Sequence, residues 1–204
     1  MFHVKQFEKL LKKSEQDIEK YIEILSIWQK HVNLISKNTL NNIYERHILD
    51  SAQLFDLIPP DKKILIDVGS GAGFPGIVLG ILNKTAKFPI EQIILVESDT
   101  KKSTFLQEVN RQLALDVQIR NERIEKINNI KADVITARAF AELNQILSLC
   151  HQIVSRETIL ILPKGSTVEQ EIKNNKITCK INKLNSLTNS DSFILKVEDV
   201  QYEN

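Results

Sequence analysis

The hydrophobic positions along this chain of 204 residues follow one period near the N-terminus and a different one along the remainder. Over residues 1–60, apolar side chains recur at every third or fourth position, which is the spacing of an amphipathic helix. One helix is predicted over 2–13, and a second opens at a capping box, Ser14-Glu-Gln-Asp17. A third is predicted over about 41–57, before two prolines. We therefore expect an N-terminal helical extension.

Over residues 61–204, short apolar runs alternate with helical patterns, which predicts a parallel sheet with right-handed crossovers. Helices are predicted between the runs, including one over 141–154. The predicted strands of this part are 64–68, 93–97, 117–120, 132–137 and 158–162, the last halted by Pro163-Lys-Gly165. The final two apolar runs, 177–187 and 192–200, have only a polar loop between them and predict an antiparallel hairpin. The expected fold class is α/β, with a seven-stranded sheet whose last strand is reversed.

A glycine-rich stretch follows the first of these strands. Ile64–Val68 leads directly into Gly69, Gly71, Gly73 and Gly76, which are four of only six glycines in the chain. Glycine allows positive φ angles and close approach of a ligand to the backbone. A strand, a glycine loop and a helix together form the element with which α/β sheets bind nucleotide-like ligands. The sequence therefore predicts a ligand site at the carboxyl end of this strand.

Two cofactor classes fit the loop. Gly71-x-Gly73-x-x-Gly76 matches the dinucleotide fingerprint, which is a weak signal when it stands alone. Asp67-x-Gly69-x-Gly71-x-Gly73 is instead the pattern of S-adenosylmethionine (SAM) dependent methyltransferases, in which the Asp67 carboxylate is expected to face a cationic ligand. Both classes need a second acid after the next strand, and Glu97 is placed to accept hydrogen bonds from ribose hydroxyls.

Composition and charge exclude several other classes. Hydrophobic residues make up 42% of the chain and charged residues 26%, as in a soluble globular protein. There is no apolar run near the roughly 20 residues that span a bilayer, and no signal-peptide core, so a cytoplasmic location is expected. The net charge of +1 means that any RNA contact depends on a local basic patch. Cys150 and Cys179 lie too far apart in sequence to indicate a disulfide framework or a zinc site, and no metal is expected.

Five segments occur in an order that is specific to one family. They are Asn33-Leu-Ile-Ser36, Arg46-His-Ile-Leu-Asp-Ser51, Asp67-Val-Gly-Ser-Gly-Ala-Gly-Phe-Pro-Gly76, Arg138-Ala-Phe-Ala141 and Pro163-Lys-Gly165. From about Asp17 to its C-terminus, the chain resembles the RsmG (GidB) family of bacterial 16S ribosomal RNA guanine-N7 methyltransferases. The resemblance implies a Rossmann-like, class I SAM-dependent methyltransferase fold. It also implies SAM as cofactor, the small ribosomal subunit as partner and a guanine in the 530 loop of 16S rRNA as acceptor. We expect the protein to act as a monomer.

The resemblance also assigns site residues. Together with the glycine-loop motif, the resemblance gives these expected cofactor contacts: Asp67, Gly69, Gly71, Gly73, Phe74, Glu97, Ile124, Glu125 and Arg138. The candidate RNA contacts are Arg46, His47, Arg138 and Lys164. For Arg46 and His47 the alternative is a polar face that packs the N-terminal helices on the sheet. For Lys164 it is a solvated turn residue, and for Arg138 a surface salt bridge.

No catalytic acid or base is predicted. Guanine N7 has a lone pair in the base plane and no proton to remove, so methyl transfer to it depends on positioning. The chain has no evident Ser/His/Asp set, and this reaction needs none. Two other functions remain open at this point: an NAD-dependent oxidoreductase that uses the overlapping glycine fingerprint, and an RNA-binding or ribosome-assembly module that binds SAM without turnover.

Overall fold

A computed structural model describes residues 9–36, 39, 42–86 and 90–202. The strands are β1 (Ile64–Val68), β2 (Gln92–Val96), β3 (Val117–Arg120), β4 (Val134–Thr136), β5 (Ile159–Lys164), β6 (Thr178–Asn185) and β7 (Phe193–Gln201). The α-helices are α1 (Glu15–Trp28), α2 (Gly76–Ala86), α3 (Thr100–Leu113), α4 (Leu143–Leu149) and α5 (Val168–Asn174). Residues 44–57 form what we term the mixed helix, and Ile124–Lys126 forms a 3-10 turn. None of the described helices is long and apolar enough to cross a bilayer.

The seven strands form one sheet in the order β3-β2-β1-β4-β5-β7-β6. β1 to β5 run parallel, and β7 is antiparallel to both of its neighbours, β5 and β6. This confirms the predicted α/β fold with its reversed last strand. Because the parallel strands share one direction, their carboxyl ends lie along a single edge, where α/β sheets bind ligands.

Two apolar cores lie on opposite faces of the sheet. Successive residues of a strand point to opposite faces, and accordingly Leu65 and Leu95 belong to one core while Ile66 and Val96 belong to the other. The first core includes α1, the mixed helix, α2 and α3, and the second includes α4 and α5. Burial on both faces explains why the parallel strands read as continuous apolar runs.

The N-terminal helices are part of the first core. The buried side of α1 carries Ile18, Tyr21, Ile24 and Leu25. Each aliphatic side chain buried in this way contributes about 1.5–3 kcal/mol. The helical extension and the sheet therefore stabilise one another through a shared core.

Two expectations for the N-terminal part differ from the structure. Ser14 forms no capping box: its hydroxyl donates to Thr85 Oγ1 (2.8 Å), and its N–H bonds back to Leu10 and Leu11. The mixed helix is a π-helix over Tyr44–Leu49, then one α-helical turn, then a 3-10 helix, rather than a regular helix. The predicted helix over 2–13 lies mostly outside the described residues; its part over 9–13 is helical.

Two further differences lie after the fourth strand. The helix predicted over 141–154 is regular only over Leu143–Leu149. Pro163 lies within β5 and pairs with Ile194 instead of ending the strand. Its missing N–H is tolerated there because β4 stops pairing with β5 at Ile161.

Candidate active site

The glycine loop after β1 adopts backbone conformations that side chains rarely tolerate. Gly69 has a φ of +67° and Gly71 a φ of +56°. A Cβ atom added at Gly69 would overlap the Phe140 ring, whereas one added at Gly71 would lie 3.8 Å from its nearest neighbour. The backbone N–H groups of Gly69 and Ser70 both donate to the carbonyl of Val96 (2.9 and 3.1 Å). The loop is thus fixed against the end of β2.

Asp67 lies beneath this loop and not in the space above it. Its carboxylate is fully buried, accepts from Thr136 Oγ1 (2.7 Å) and from the Gly76 N–H (3.3 Å), and lines no cavity among the described residues. Burial raises the pKa of Asp67 to about 6, while the bond from Thr136 acts in the opposite direction. The expectation that Asp67 faces a cationic ligand is therefore corrected, and its contacts are those of a residue that shapes the loop.

Glu97 follows β2 directly and closes the other side of the loop. Its side chain accepts from the Gly71 N–H (2.8 Å) and from the Asp99 N–H (2.8 Å), one bond to each oxygen. A carboxylate has about four acceptor positions, so both oxygens retain capacity for hydroxyl donors. Glu97 lines the main cavity, and its role as a ribose-binding acid stays a prediction.

The main cavity has a volume of about 540 Å³ and lies at the carboxyl ends of β1, β2 and β4. This is within the range of small-molecule sites, about 300–1,000 Å³. Of the predicted cofactor contacts, Asp67 and Gly73 do not line it. Those that do are Gly69, Gly71, Phe74, Glu97, Ile124, Glu125 and Arg138. Gly73 instead allows close packing, because an added Cβ would meet Ile77 and the Tyr21 hydroxyl.

Arg138, just after β4, is bound by the mixed helix. Its Nε lies 3.2 Å from Asp50 Oδ2, one terminal nitrogen donates to His47 Nδ1 (2.6 Å), and the other donates to the carbonyl of Arg46 (2.6 Å). Burial lowers the pKa of Arg138, and the Asp50 carboxylate counteracts that effect. The alternative of an exposed salt bridge is thus replaced by a largely buried network that joins the N-terminal extension to the ligand edge of the sheet.

His47 connects this network to the glycine loop. Its ring stacks on Phe74, with centroids 4.8 Å apart and an interplanar angle of 19°. Because a guanidinium can only donate, Nδ1 is the acceptor and the proton of the neutral ring lies on Nε2, which has no partner among the described residues. Burial, and then the charges of Arg138 and Arg46, lower the pKa of His47 to about 4. The ring is therefore neutral near pH 7.

Two contacts were missed at the level of sequence. Tyr21 of α1 looks like an ordinary core residue in the helical pattern, yet its hydroxyl donates to the carbonyl of Ala72 in the glycine loop. Its ring lies 5.4 Å from that of Phe74. Asp50 also accepts from Gln53 (2.9 Å) and Thr188 Oγ1 (3.0 Å), which ties in the loop between β6 and β7. For Asp50, the only sequence signal was its place in the Arg-His-Ile-Leu-Asp-Ser segment.

A second cavity of about 400 Å³ adjoins the first. The two share Arg138, Ala139 and Phe140 as a common wall. Ala139 has a φ of +51°, a left-handed conformation that costs about 1–2 kcal/mol for an L-residue and often marks a functional site. Lys164 and Phe193 also line this cavity.

Comparison with known proteins identifies the family. The model of the family described as rRNA small subunit methyltransferase G (GidB) matches residues 14–193. The chain belongs to this family. A member from Orientia tsutsugamushi, named ribosomal RNA small subunit methyltransferase G, is 39% identical over 184 residues, covering 88% of each chain. A member of the same name from Jannaschia sp. is 37% identical over 188 residues, covering 91% of this chain and 89% of the relative.

Solved structures support the fold. An O-methyltransferase from Bacillus cereus in complex with SAH has a TM-score of 0.59 at 12% identity, covering 90% of both chains. A SAM-dependent methyltransferase from Aquifex aeolicus has a TM-score of 0.56 at 14% identity, covering 76% of this chain and 91% of the other. With the family assignment, these comparisons establish a class I SAM-dependent methyltransferase and exclude the NAD-dependent alternative.

The residues present fit SAM. Gly71 presents only backbone to the main cavity, with open space where a Cβ atom would stand, and Glu97 offers a carboxylate to ribose hydroxyls. No group of three His, Cys, Asp or Glu side chains within the described residues is arranged to hold a metal ion.

Proposed function

We propose that the protein transfers a methyl group from SAM to N7 of a guanine in the 530 loop of 16S ribosomal RNA. The observation that carries the proposal is the pair of adjoining cavities, one with the glycine loop and Glu97, the other with two phenylalanines. The choice of ribosomal RNA rests on the names of the relatives, and the choice of guanine N7 rests on the family resemblance and on the chemistry below.

In this proposal the chain's residues position reactants and carry out no proton transfer. Bound SAM supplies an electrophilic methyl group on a sulfonium sulfur. As the N7–methyl bond forms and the sulfur–methyl bond breaks, the positive charge passes to the guanine ring, and no proton has to leave N7. Glu142, an exposed acid that lines the second cavity, supplies negative charge there, whereas the charge of Asp50 is paired with Arg138. Alignment of the two reactants is the main source of rate acceleration.

The proposed cofactor contacts are the predicted residues that line the main cavity, with Glu97 at the ribose. Asp67 and Gly73 act from beneath by shaping the loop. Arg46, whose side chain is exposed on the mixed helix, is the strongest of the predicted RNA-phosphate contacts. His47 is 8% exposed and bonded to Arg138, so we assign it a positioning role instead.

We further propose that the helical extension (1–60) and the sheet unit (61–204) act together as a cytoplasmic monomer with the small ribosomal subunit as partner.

The test is methyl transfer from labelled SAM to small-subunit particles that lack the modification, followed by digestion to nucleosides. The proposal predicts label in 7-methylguanosine. Label in another nucleoside would contradict the proposed acceptor. Tight SAM binding in calorimetry without any transfer to RNA would favour the non-enzymatic module instead.

A further inference from the structure

Lys164, at the end of β5, is not the solvated turn residue that its position after a proline suggested. Its side chain is only 8% exposed. The ammonium group lies 2.6 Å from Glu171 Oε2 and donates to the carbonyl of Ala141 (2.8 Å). A lysine in this position is held in place, and the phosphate backbone of an RNA chain has little access to it.

The ammonium group nevertheless keeps a donor to spare. Lysine has three N–H donors, and the described residues supply acceptors for two of them, Glu171 and Ala141. Lys164 also lines the second cavity, whose shared wall with the main cavity contains Phe140. The third N–H is therefore available to an acceptor placed inside this cavity.

We infer that Lys164 donates its third N–H to O6 of the target guanine and so selects guanine over adenine. This inference rests on the proposed function and names the group that reads the base. Guanine presents O6 and N7 as neighbouring acceptors on one edge, whereas adenine has an N6 amino donor in place of O6. A lysine N–H can donate to O6 of guanine, but opposite the N6 amino group of adenine it meets another donor.

The position of the lysine also orients the base. The Lys164 ammonium donates to the carbonyl of Ala141, the residue after Phe140, and O6 and N7 share an edge, so a hydrogen bond to O6 holds N7 close to the wall between the two cavities. That wall, formed by Arg138, Ala139 and Phe140, separates the two cavities. Phe140 and Phe193 offer aromatic surfaces on which a base extruded from RNA can stack.

The buried Glu171 makes this arrangement compatible with the reaction. A free ammonium beside the base would oppose the positive charge that methylation creates. Glu171 pairs with Lys164 and is itself fixed by the Leu143 N–H (2.9 Å) and by Thr167 Oγ1 (3.2 Å). The pair presents a hydrogen-bond donor with no net charge, so it reads O6 without repelling the product.

The experiment compares guanine with 2-aminopurine at the acceptor position of rRNA assembled into small-subunit particles. 2-Aminopurine keeps N7 and the C2 amino group but has no O6. We expect the wild type to prefer guanine in kcat/KM by about 5- to 100-fold, the usual range for one base contact. If guanine is not methylated at all, the proposed function fails. If both bases are methylated equally, only the role of Lys164 is overturned.

Variants assign the preference to the lysine. In Lys164→Met, methylation of guanine should fall by about 5- to 100-fold, and the preference over 2-aminopurine should shrink to within about threefold. SAM affinity should stay within about threefold, because Lys164 does not line the main cavity. Lys173→Met, at an exposed lysine of α5, is the matched control and should behave as wild type.

Removing Lys164 alone leaves Glu171 buried without its partner, which is destabilising. Lys164→Met/Glu171→Gln avoids this, and its folding is checked by thermal unfolding. A folded variant that keeps the full preference for guanine over 2-aminopurine would overturn the inference. If neither variant folds, equal methylation of the two bases by the wild type would still overturn the inference.

Discussion

Asp50 joins the N-terminal extension to the end of β4 and to the β6–β7 loop. Its removal therefore tests quantitatively how much this connection contributes to stability. The carboxylate contacts Arg138 through one oxygen and accepts from Gln53 and Thr188 through the other. In Asp50→Ala, the Arg138 guanidinium stays largely buried without its counter-charge, and the side chains of Gln53, Ser186 and Thr188 each lose one hydrogen bond.

The expected loss of stability follows from this geometry. Removing one partner of a buried ion pair destabilises a protein by about 3–5 kcal/mol. Here the side chains of Arg138 and Asp50 are 21% and 12% exposed. Solvent screening therefore reduces the expected loss to about 2–4 kcal/mol. Asp50→Asn keeps an acceptor oxygen but not the charge, so its loss should be smaller.

Urea unfolding measures the change in free energy, and a double-mutant cycle with Arg138→Met identifies its source. Once Arg138 is replaced, Asp50→Ala should destabilise by at least about 1 kcal/mol less than in the wild type. Glu45→Ala, at an exposed acid of the same mixed helix, serves as the control and should change stability by under about 0.5 kcal/mol. Additive effects of the Asp50 and Arg138 changes would refute the coupling between them.

Four further predictions concern the site. Gly71→Ala should destabilise by about 1–2 kcal/mol through its positive φ alone, and Gly69→Ala by more because its added methyl also overlaps a ring; equal losses in urea unfolding would contradict this. Glu97→Ala should weaken SAM binding at least about tenfold by calorimetry, since it removes a charged acceptor; unchanged affinity would exclude Glu97 from the site. His47 has a folded-state pKa of about 4, below the ordinary 6.5. Its contribution to stability is therefore present above pH 6.5 and is lost as the pH falls towards 4. As the pH falls from 6.5 towards 4, the stability of the wild type relative to His47→Gln should accordingly fall by about 3 kcal/mol, and a flat difference would refute the assignment. Arg46→Ala should reduce RNA methylation more than SAM binding, measured by initial rates and calorimetry; equal loss of both, or of neither, would return Arg46 to a structural role.

The parts of the fold that follow from local patterns were predictable. Parallel strands buried on both faces read as apolar runs, and the glycine loop with Glu97 lies within one strand–loop–helix–strand unit. The burial of Asp67 also had a signal in the sequence, because it shares a strand face with Leu65, two residues earlier, and that face is covered by helices. The alternation of side chains between the two faces of the strand thus indicated a buried Asp67, but this acid was interpreted as facing a ligand.

The contacts that depend on distant residues were not predictable. Arg138 meets His47 across 91 residues, and no period in the sequence relates them. The π-helical turns of the mixed helix also leave no separate pattern, because their apolar positions resemble those of an α-helix. Lys164 shows the same limit at shorter range, since its partner Glu171 is seven residues away on a different element.

The most direct test of the account locates the methyl group in the RNA. After incubation of small-subunit particles with enzyme and SAM, borohydride reduction and aniline treatment cleave the extracted RNA chain at 7-methylguanosine. The account predicts one new enzyme-dependent cut, at a guanine of the 530 loop. A cut elsewhere would contradict the proposed substrate, and label transferred without any cut would contradict N7 as the acceptor.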